Sequence, residues 1–210
     1  MNEGEFMLDE IVRTRRNLPH WEAQRAIYWV TFRLADSIPR DKLRVWREER
    51  EAWMRRHPQP WDEKTWAEHD RLFEDRFERW LDAGVGSCAL ARPDVREKVR
   101  AALLFFDGTR LYMHAAVIMP THVHCVMEVS EGFTLPELLM SIKSYGAREA
   151  NRCLGRKGTF WQEESYDHIV RNAAQYERYV RYVAANPVKA VLREGTYWVM
   201  EEREARRLGE

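Results

Sequence analysis

No stretch of this 210-residue chain strings together the roughly 18 apolar residues that a membrane span needs, and its N-terminus lacks a basic segment followed by an apolar one. The sequence therefore predicts a soluble, cytoplasmic protein with no membrane partner. Cysteine is scarce: Cys88, Cys125 and Cys153 are three in number, far apart and without a CxxC pair. An odd, dispersed set of this kind suggests neither a disulfide framework nor a structural zinc site. Internal repeats and low-complexity tracts are absent, and the length fits one domain with room for an embellishment. Net charge is lacking too, with 34 basic and 34 acidic residues. The balance is uneven along the chain. From Ser141 to Arg193 there are ten Lys or Arg against five Asp or Glu, an excess of five that the remainder must offset. Such an excess can supply phosphate contacts, although charged helix faces are commonly just solvated.

Residues 1–20 are charged and aperiodic and read as a loose N-terminal arm. Ile27 to Phe32 is β-branched and aromatic, the pattern of a buried strand. The character then changes. From about 39 to 81 Arg, Glu, Asp and Trp dominate, and His57-Pro58-Gln59-Pro60 breaks two helical stretches, the second of them acidic. Trp46 and Trp53, and then Trp66, Phe73, Phe77 and Trp80, recur at helical spacings and read as packing stripes. Pro93 opens a helix with Val95, Val99, Leu103 and Leu104 on one side. Two strands follow, about 110–118 and 122–129, and then a long helix, about 135–154. A short strand around 166–170 precedes a helix that opens at Asn172, a good N-cap with Gln175 placed as in a capping box, and that Pro187 is expected to stop. Without the helical insertion the order is strand, helix, strand, strand, helix, strand, helix. That order predicts an α+β fold: a ferredoxin-like or RRM-like antiparallel sheet with helices packed on one face. The expected organisation is an arm over 1–20, a domain over 21–193 with its insertion at about 39–81, and a tail over 194–210.

Chemistry concentrates in two places. In the strand-like run His-Val-His-Cys-Val-Met-Glu-Val, alternation puts His122 and His124 on one face and Val123 on the other. Two imidazoles side by side favour a shared divalent metal, because each offers a neutral nitrogen lone pair. An HxH pair alone describes ordinary structural histidines equally well. No carboxylate lies within a few residues to complete a site except Glu128, which shares the face but lies about 13 Å further along the strand. A third ligand must come from elsewhere. On the last helix Tyr182 and Asn186 are four apart and lie nearly above one another. Asn186 is a candidate, although Pro187 biases it away from helical geometry. Tyr176, Tyr179 and Tyr182 form a series that packing alone would also explain.

Four motifs occur in order and spacing: Met119-Pro-Thr-His-Val-His124, Gly158-Thr-Phe-Trp-Gln162, Tyr166-Asp-His-Ile-Val-Arg171, and Tyr182-Val-Ala-Ala-Asn-Pro-Val-Lys-Ala190. Together they closely resemble the REP-associated tyrosine transposases, which belong to the single-tyrosine His-hydrophobic-His superfamily. The resemblance spans roughly residues 84–193 and the first strand. It implies a metal-dependent single-strand DNA endonuclease and strand transferase, with Tyr182 as nucleophile, His122, His124 and Asn186 as ligands of Mg or Mn, and a 5′-phosphotyrosine intermediate on single-stranded or hairpin DNA. Thr121 departs from the family's commoner Pro-Asn-His, and the insertion lies outside the match. Lys143, Arg148, Arg152, Arg171 and Lys189 are candidate phosphate contacts. Trp161 is a candidate for base stacking, with a core role equally open. The alternatives are a hairpin-binding protein of the same fold that no longer turns over, and an HxH metallohydrolase that uses water.

Overall fold

The computed structural model describes residues 26–200, together with the backbone of residues 12–15 and 19–22. Across the end of the expected N-terminal arm, β1 (Val12–Arg15) and β2 (Pro19–Glu22) pair as an antiparallel hairpin; the rest of that arm, residues 23–25 and residues 201–210 of the tail lie outside the described residues.

The main sheet is built from β3 (Ile27–Arg33), β4 (Leu111–Ile118), β5 (His122–Val129), β6 (Tyr166–Ile169) and β7 (Trp198–Met200), in the spatial order β6-β3-β5-β4-β7. Every neighbouring pair is antiparallel. Its first four strands, β6-β3-β5-β4, have the ferredoxin-like order that the alternation of elements predicts, and β7 extends the sheet within the stretch expected to be a tail. β3 is buried from end to end, which is why its sequence is a continuous apolar and aromatic run rather than an alternating one.

The strand period of two divides the core. Tyr28, Val30, Phe32, Val123, Cys125 and Met127 face α4 (Pro93–Leu104) and α5 (Leu135–Cys153). Val95, Val99 and Leu103 form the buried stripe of α4, each side chain contributing about 1.5–3 kcal/mol by leaving water. α5 passes α4 at Gly146, where an added Cβ would make ordinary contact with the Ala102 methyl at 3.6 Å. These two helices share one face, as expected. A third, α6 (Ala173–Lys189), covers the opposite face over Ile27, Trp29, Ala115, Val117 and Val126. A register shift between Met113 and Ala115 turns Ala115 and Val117 toward α6.

α6 does not stop at Pro187. It continues to Lys189, and the Ala190 N–H reaches back to the Asn186 carbonyl. A proline this near the C-terminal end forfeits a single backbone bond, and Asn186 and Pro187 are both buried against the sheet. Packing overrides the local bias, so Asn186 keeps helical geometry.

The insertion is helical, as its composition predicts: α1 (Arg40–Arg56), α2 (Glu63–His69), a π-turn at Asp70–Glu74 and α3 (Asp75–Asp82). Trp46, Trp53, Phe73 and Leu81 form its own core, so the aromatic stripe is a packing stripe. Its two ends are pinned together: the Asp36 carboxylate accepts from the Ser87 N–H at 2.9 Å. Gly86, at φ +97°, packs so tightly on Asp36 that a Cβ would sit 2.4 Å from the Asp36 carbonyl oxygen.

Candidate active site

His122 and His124 project together from β5 toward α6, as strand parity predicts. Both are fully buried, and their rings meet edge to face at 4.5 Å. Each is oriented through Nδ1. The register sets Thr31 opposite His124, and its hydroxyl lies 2.8 Å from His124 Nδ1. Thr121 Oγ1 lies 2.9 Å from His122 Nδ1 and donates to the Leu81 carbonyl at 3.1 Å. A hydroxyl has one hydrogen. With that hydrogen given to Leu81, Thr121 accepts from His122 Nδ1–H, which leaves the Nε2 lone pair free. Fixing the tautomer through the far nitrogen is how proteins hold a metal-ligating imidazole. Both Nε2 atoms are buried without a hydrogen bond. Burial, followed by the neighbouring His124, pushes the His122 pKa well below its usual value, so the ring is neutral and its Nε2 lone pair is unprotonated.

The third group is Glu78, carried by α3 from the insertion. Its carboxylate and the two imidazoles have ligand atoms within 4.8 Å of one another, the arrangement of a metal site. Oε2 lies 3.2 Å from His124 Nε2 and accepts the Tyr182 hydroxyl at 2.9 Å. Burial alone would raise this carboxyl, but His124 foremost and the Tyr182 hydroxyl hold it low. The third ligand that must come from elsewhere in the chain thus has a candidate that the sequence did not single out, a carboxylate 44 residues upstream of His122. Asn186, one turn beyond Tyr182, is also fully buried. Its amide adjoins the Tyr182 hydroxyl, yet neither of its polar atoms is hydrogen-bonded. Buried polar atoms without partners are rare and costly. Here two imidazole nitrogens and an amide share that condition around one carboxylate, and the donor set suits a divalent ion.

The three tyrosines of α6 separate. Tyr182 meets the His124 ring edge to face at 5.4 Å. Tyr179 stacks on Trp29 at 4.7 Å, and the Tyr176 hydroxyl lies 3.2 Å from His114 Nδ1. Tyr182 is the one in contact with the cluster. Its phenol is pushed far above its ordinary pKa by burial and then by Glu78, so it is a neutral hydrogen-bond donor. Glu128 shares the histidines' face but stands 3.6 Å from His114 Nε2.

The nominated DNA contacts are dispersed. Lys189 lies 5.1 Å from the centroid of the Tyr182 ring, and Arg171 stacks over Trp66 at 4.6 Å; both belong to the α6 side. Arg148 and Arg152 are exposed but sit on α5, across the sheet, flanking the Glu149 carboxylate. The Lys143 ammonium is turned inward, donating to the carbonyls of Gln162 and Glu163 and to Ser165 Oγ. Trp161 lies in the core, 6% exposed, donating to the Lys143 carbonyl. Besides Glu78, the sequence reading passes over Thr31 and Arg33, a buried guanidinium on the histidines' face held near Ser37 and Phe77.

A match to one curated protein supports the resemblance to the tyrosine transposases that the four motifs carry. The chain is 31% identical over 78 residues to the REP-associated tyrosine transposase of Escherichia coli (strain K12), a stretch covering 37% of this chain and 44% of that one. The chain thus spans less than half the length of this relative. The solved structure of a REP-associated tyrosine transposase bound to a REP hairpin is similar at a TM-score of 0.42 and 17% identity, over 79% of this chain and 68% of that one. No protein-family profile matches.

Proposed function

We propose that the chain is a metal-dependent single-strand DNA endonuclease and strand transferase of the REP-associated tyrosine transposase kind, acting on hairpin DNA through residues 21–193. The observation that carries this reading is the convergence of Tyr182, His124 and Glu78 at hydrogen-bonding and ring-contact distances. His122, His124 and Glu78 would hold a divalent ion, Mg or Mn, with Asn186 as a further donor. Such an ion supplies Lewis acidity and aligns the scissile phosphate.

The chain's own groups then do the following. Tyr182 Oη attacks phosphorus, forming a 5′-phosphotyrosyl bond while the bond to the 3′ oxygen breaks. The phenol proton must leave as that bond forms, and Glu78 Oε2 is the acceptor already in place. Glu78 would pass the proton on, and the departing 3′ oxygen takes it up as a hydroxyl. The covalent linkage preserves the energy of the phosphodiester, so a 3′-hydroxyl can reseal it without ATP. Lys189, Arg171, Arg148 and Arg152 remain the candidates for phosphate contacts.

A second reading gains from the same site. Glu78 supplies the carboxylate that a water-using HxH metallohydrolase needs. Incubating the protein with an end-labelled hairpin oligonucleotide and Mn²⁺, then resolving it on a denaturing gel, separates the readings. The tyrosine enzyme leaves DNA covalently attached to protein. That adduct should vanish in Tyr182→Phe and His122→Ala and persist in Tyr179→Phe. Cleavage with no adduct would establish the hydrolase, and binding without cleavage would leave only the hairpin-binding module.

A further inference from the structure

The insertion builds a second pocket against the catalytic helix. α2 on one side, and β6 with the start of α6 on the other, enclose about 630 Å³, a volume within the range of small-ligand sites. Its lining is aromatic and basic: Trp61 and Trp66 from the insertion, Tyr179 from α6, and Arg171 and Arg178. The guanidiniums are laid over rings. Arg171 lies 4.6 Å from the centroid of Trp66, and Arg178 lies 5.0 Å from that of Tyr179. Asp70 is the one acidic group among the residues lining it, 3.6 Å from Arg178. Two guanidiniums against one carboxylate leave the lining cationic.

We propose that this pocket holds one unpaired nucleotide of the DNA strand beside the scissile phosphate. The inference rests on the transposase reading and extends it to a binding site made by the segment that the motifs leave unexplained. A nucleotide has a flat, polarisable base and a phosphate. Aromatic rings and guanidinium planes stack the one, and guanidinium charge binds the other. Bases in a duplex are already stacked and paired, so only an unpaired one can enter. Trp29 links the pocket to the chemistry: it stacks with the pocket's Tyr179 at 4.7 Å and with His124 at 5.0 Å. A nucleotide seated there would fix the register of the strand relative to Tyr182.

The test compares two probes without divalent metal, so that nothing is cut: a fluorescently labelled blunt DNA hairpin, and the same hairpin extended by a short single-stranded thymidine tract. Fluorescence anisotropy gives the affinity of each. The wild-type protein should bind the extended hairpin more tightly. Trp66→Ala should lose roughly fivefold or more of that advantage, as expected for removal of one stacking ring. Arg178→Ala, an exposed change that spares the core, should also reduce it and lessen its salt dependence. Binding of the blunt hairpin should be unchanged in both. The proposal is overturned if both variants fold, as judged by circular dichroism, and keep the full advantage, or if the wild-type protein shows no preference for the extension. A wild-type protein that binds neither probe would overturn the transposase reading as well.

Discussion

Thr121 offers the sharpest perturbation, because a single oxygen ties the insertion to the histidine strand. Thr121→Val keeps the shape and deletes the hydroxyl. The Leu81 carbonyl loses one donor but retains the Gly84 N–H at 3.2 Å, so its loss is partial. His122 Nδ1, fully buried, loses its recorded partner. Leaving a buried polar group unsatisfied costs about 1–3 kcal/mol, and a shift of that size should appear in the thermal or urea midpoint. The larger consequence falls on the metal site. Without the hydroxyl, nothing holds the proton on Nδ1, and His122 is free to rotate or to carry its proton on Nε2. Removing the partner of a metal-ligating histidine costs about 10–100-fold in metal affinity. Isothermal titration with Mn²⁺ should show that loss, and the stabilisation that Mn²⁺ gives in thermal melts should shrink accordingly. A Thr121→Val protein that folds and binds Mn²⁺ within about twofold of wild type would refute the tautomer argument and detach His122 from the proposed site.

Glu78→Gln keeps the side chain's size and removes its charge; Mn²⁺ affinity and the rate of adduct formation should each fall at least about tenfold, the scale of lost metal-site partners. An unchanged or faster rate would mean that Glu78 merely covers the tyrosine. Burial holds the Lys143 ammonium at about 8, below its ordinary 10.5, so between those values the unfolded chain binds more protons and stability should rise with pH. Denaturant titrations at several pH values should find that rise in the wild-type protein and not in Lys143→Met; equal slopes would show that the ammonium is not held as described.

What the sequence could disclose follows from where the determinants lie. The order of elements was legible because β3 is one unbroken β-branched and aromatic run and α4 repeats with a clear helical period, and the side-by-side histidines follow from parity alone. Pro187 misled because a local rule about the residue before proline was weighed without the tertiary packing that buries Asn186. Glu78 was missed for another reason. Asp70, Glu74, Glu78 and Asp82 recur every fourth residue, an acidic stripe that reads as a solvated helix face. In the fold these four are partly or wholly shielded while Arg71, Asp75 and Arg79 remain exposed, so the stripe is turned inward. Its regular spacing was the available signal, and only a knowledge of what α3 packs against gives it meaning. Lys143 and Trp161 show the reverse. Their types suit DNA, but the turn after α5 consumes the ammonium in hydrogen bonds and the core consumes the indole.

The insertion belongs to the site as built rather than decorating it. Leu81 holds Thr121 and through it His122, Glu78 holds Tyr182, and Asp70 stands beside Arg178 of the same helix. Trp46, Trp53, Phe73 and Leu81 anchor the segment in a core of its own, so α3 cannot withdraw without giving up buried apolar contacts worth several times any one polar tie. In the proposed reaction a phosphate approaching Tyr182 would therefore meet Glu78 in place. The phenol's hydrogen bond to that carboxylate is charge-assisted and contributes about 1.5–3 kcal/mol, and it is the path along which the proposed reaction would take the phenol's proton as Oη attacks. An approaching phosphate is itself an anion, and beside an ionised Glu78 it is repelled. That repulsion is what a divalent ion held by His122, His124 and Glu78 would offset, since its charge would balance the carboxylate and favour the phosphate. In the proposed reaction, metal binding and entry of the strand would thus depend on one carboxylate that lies outside every motif.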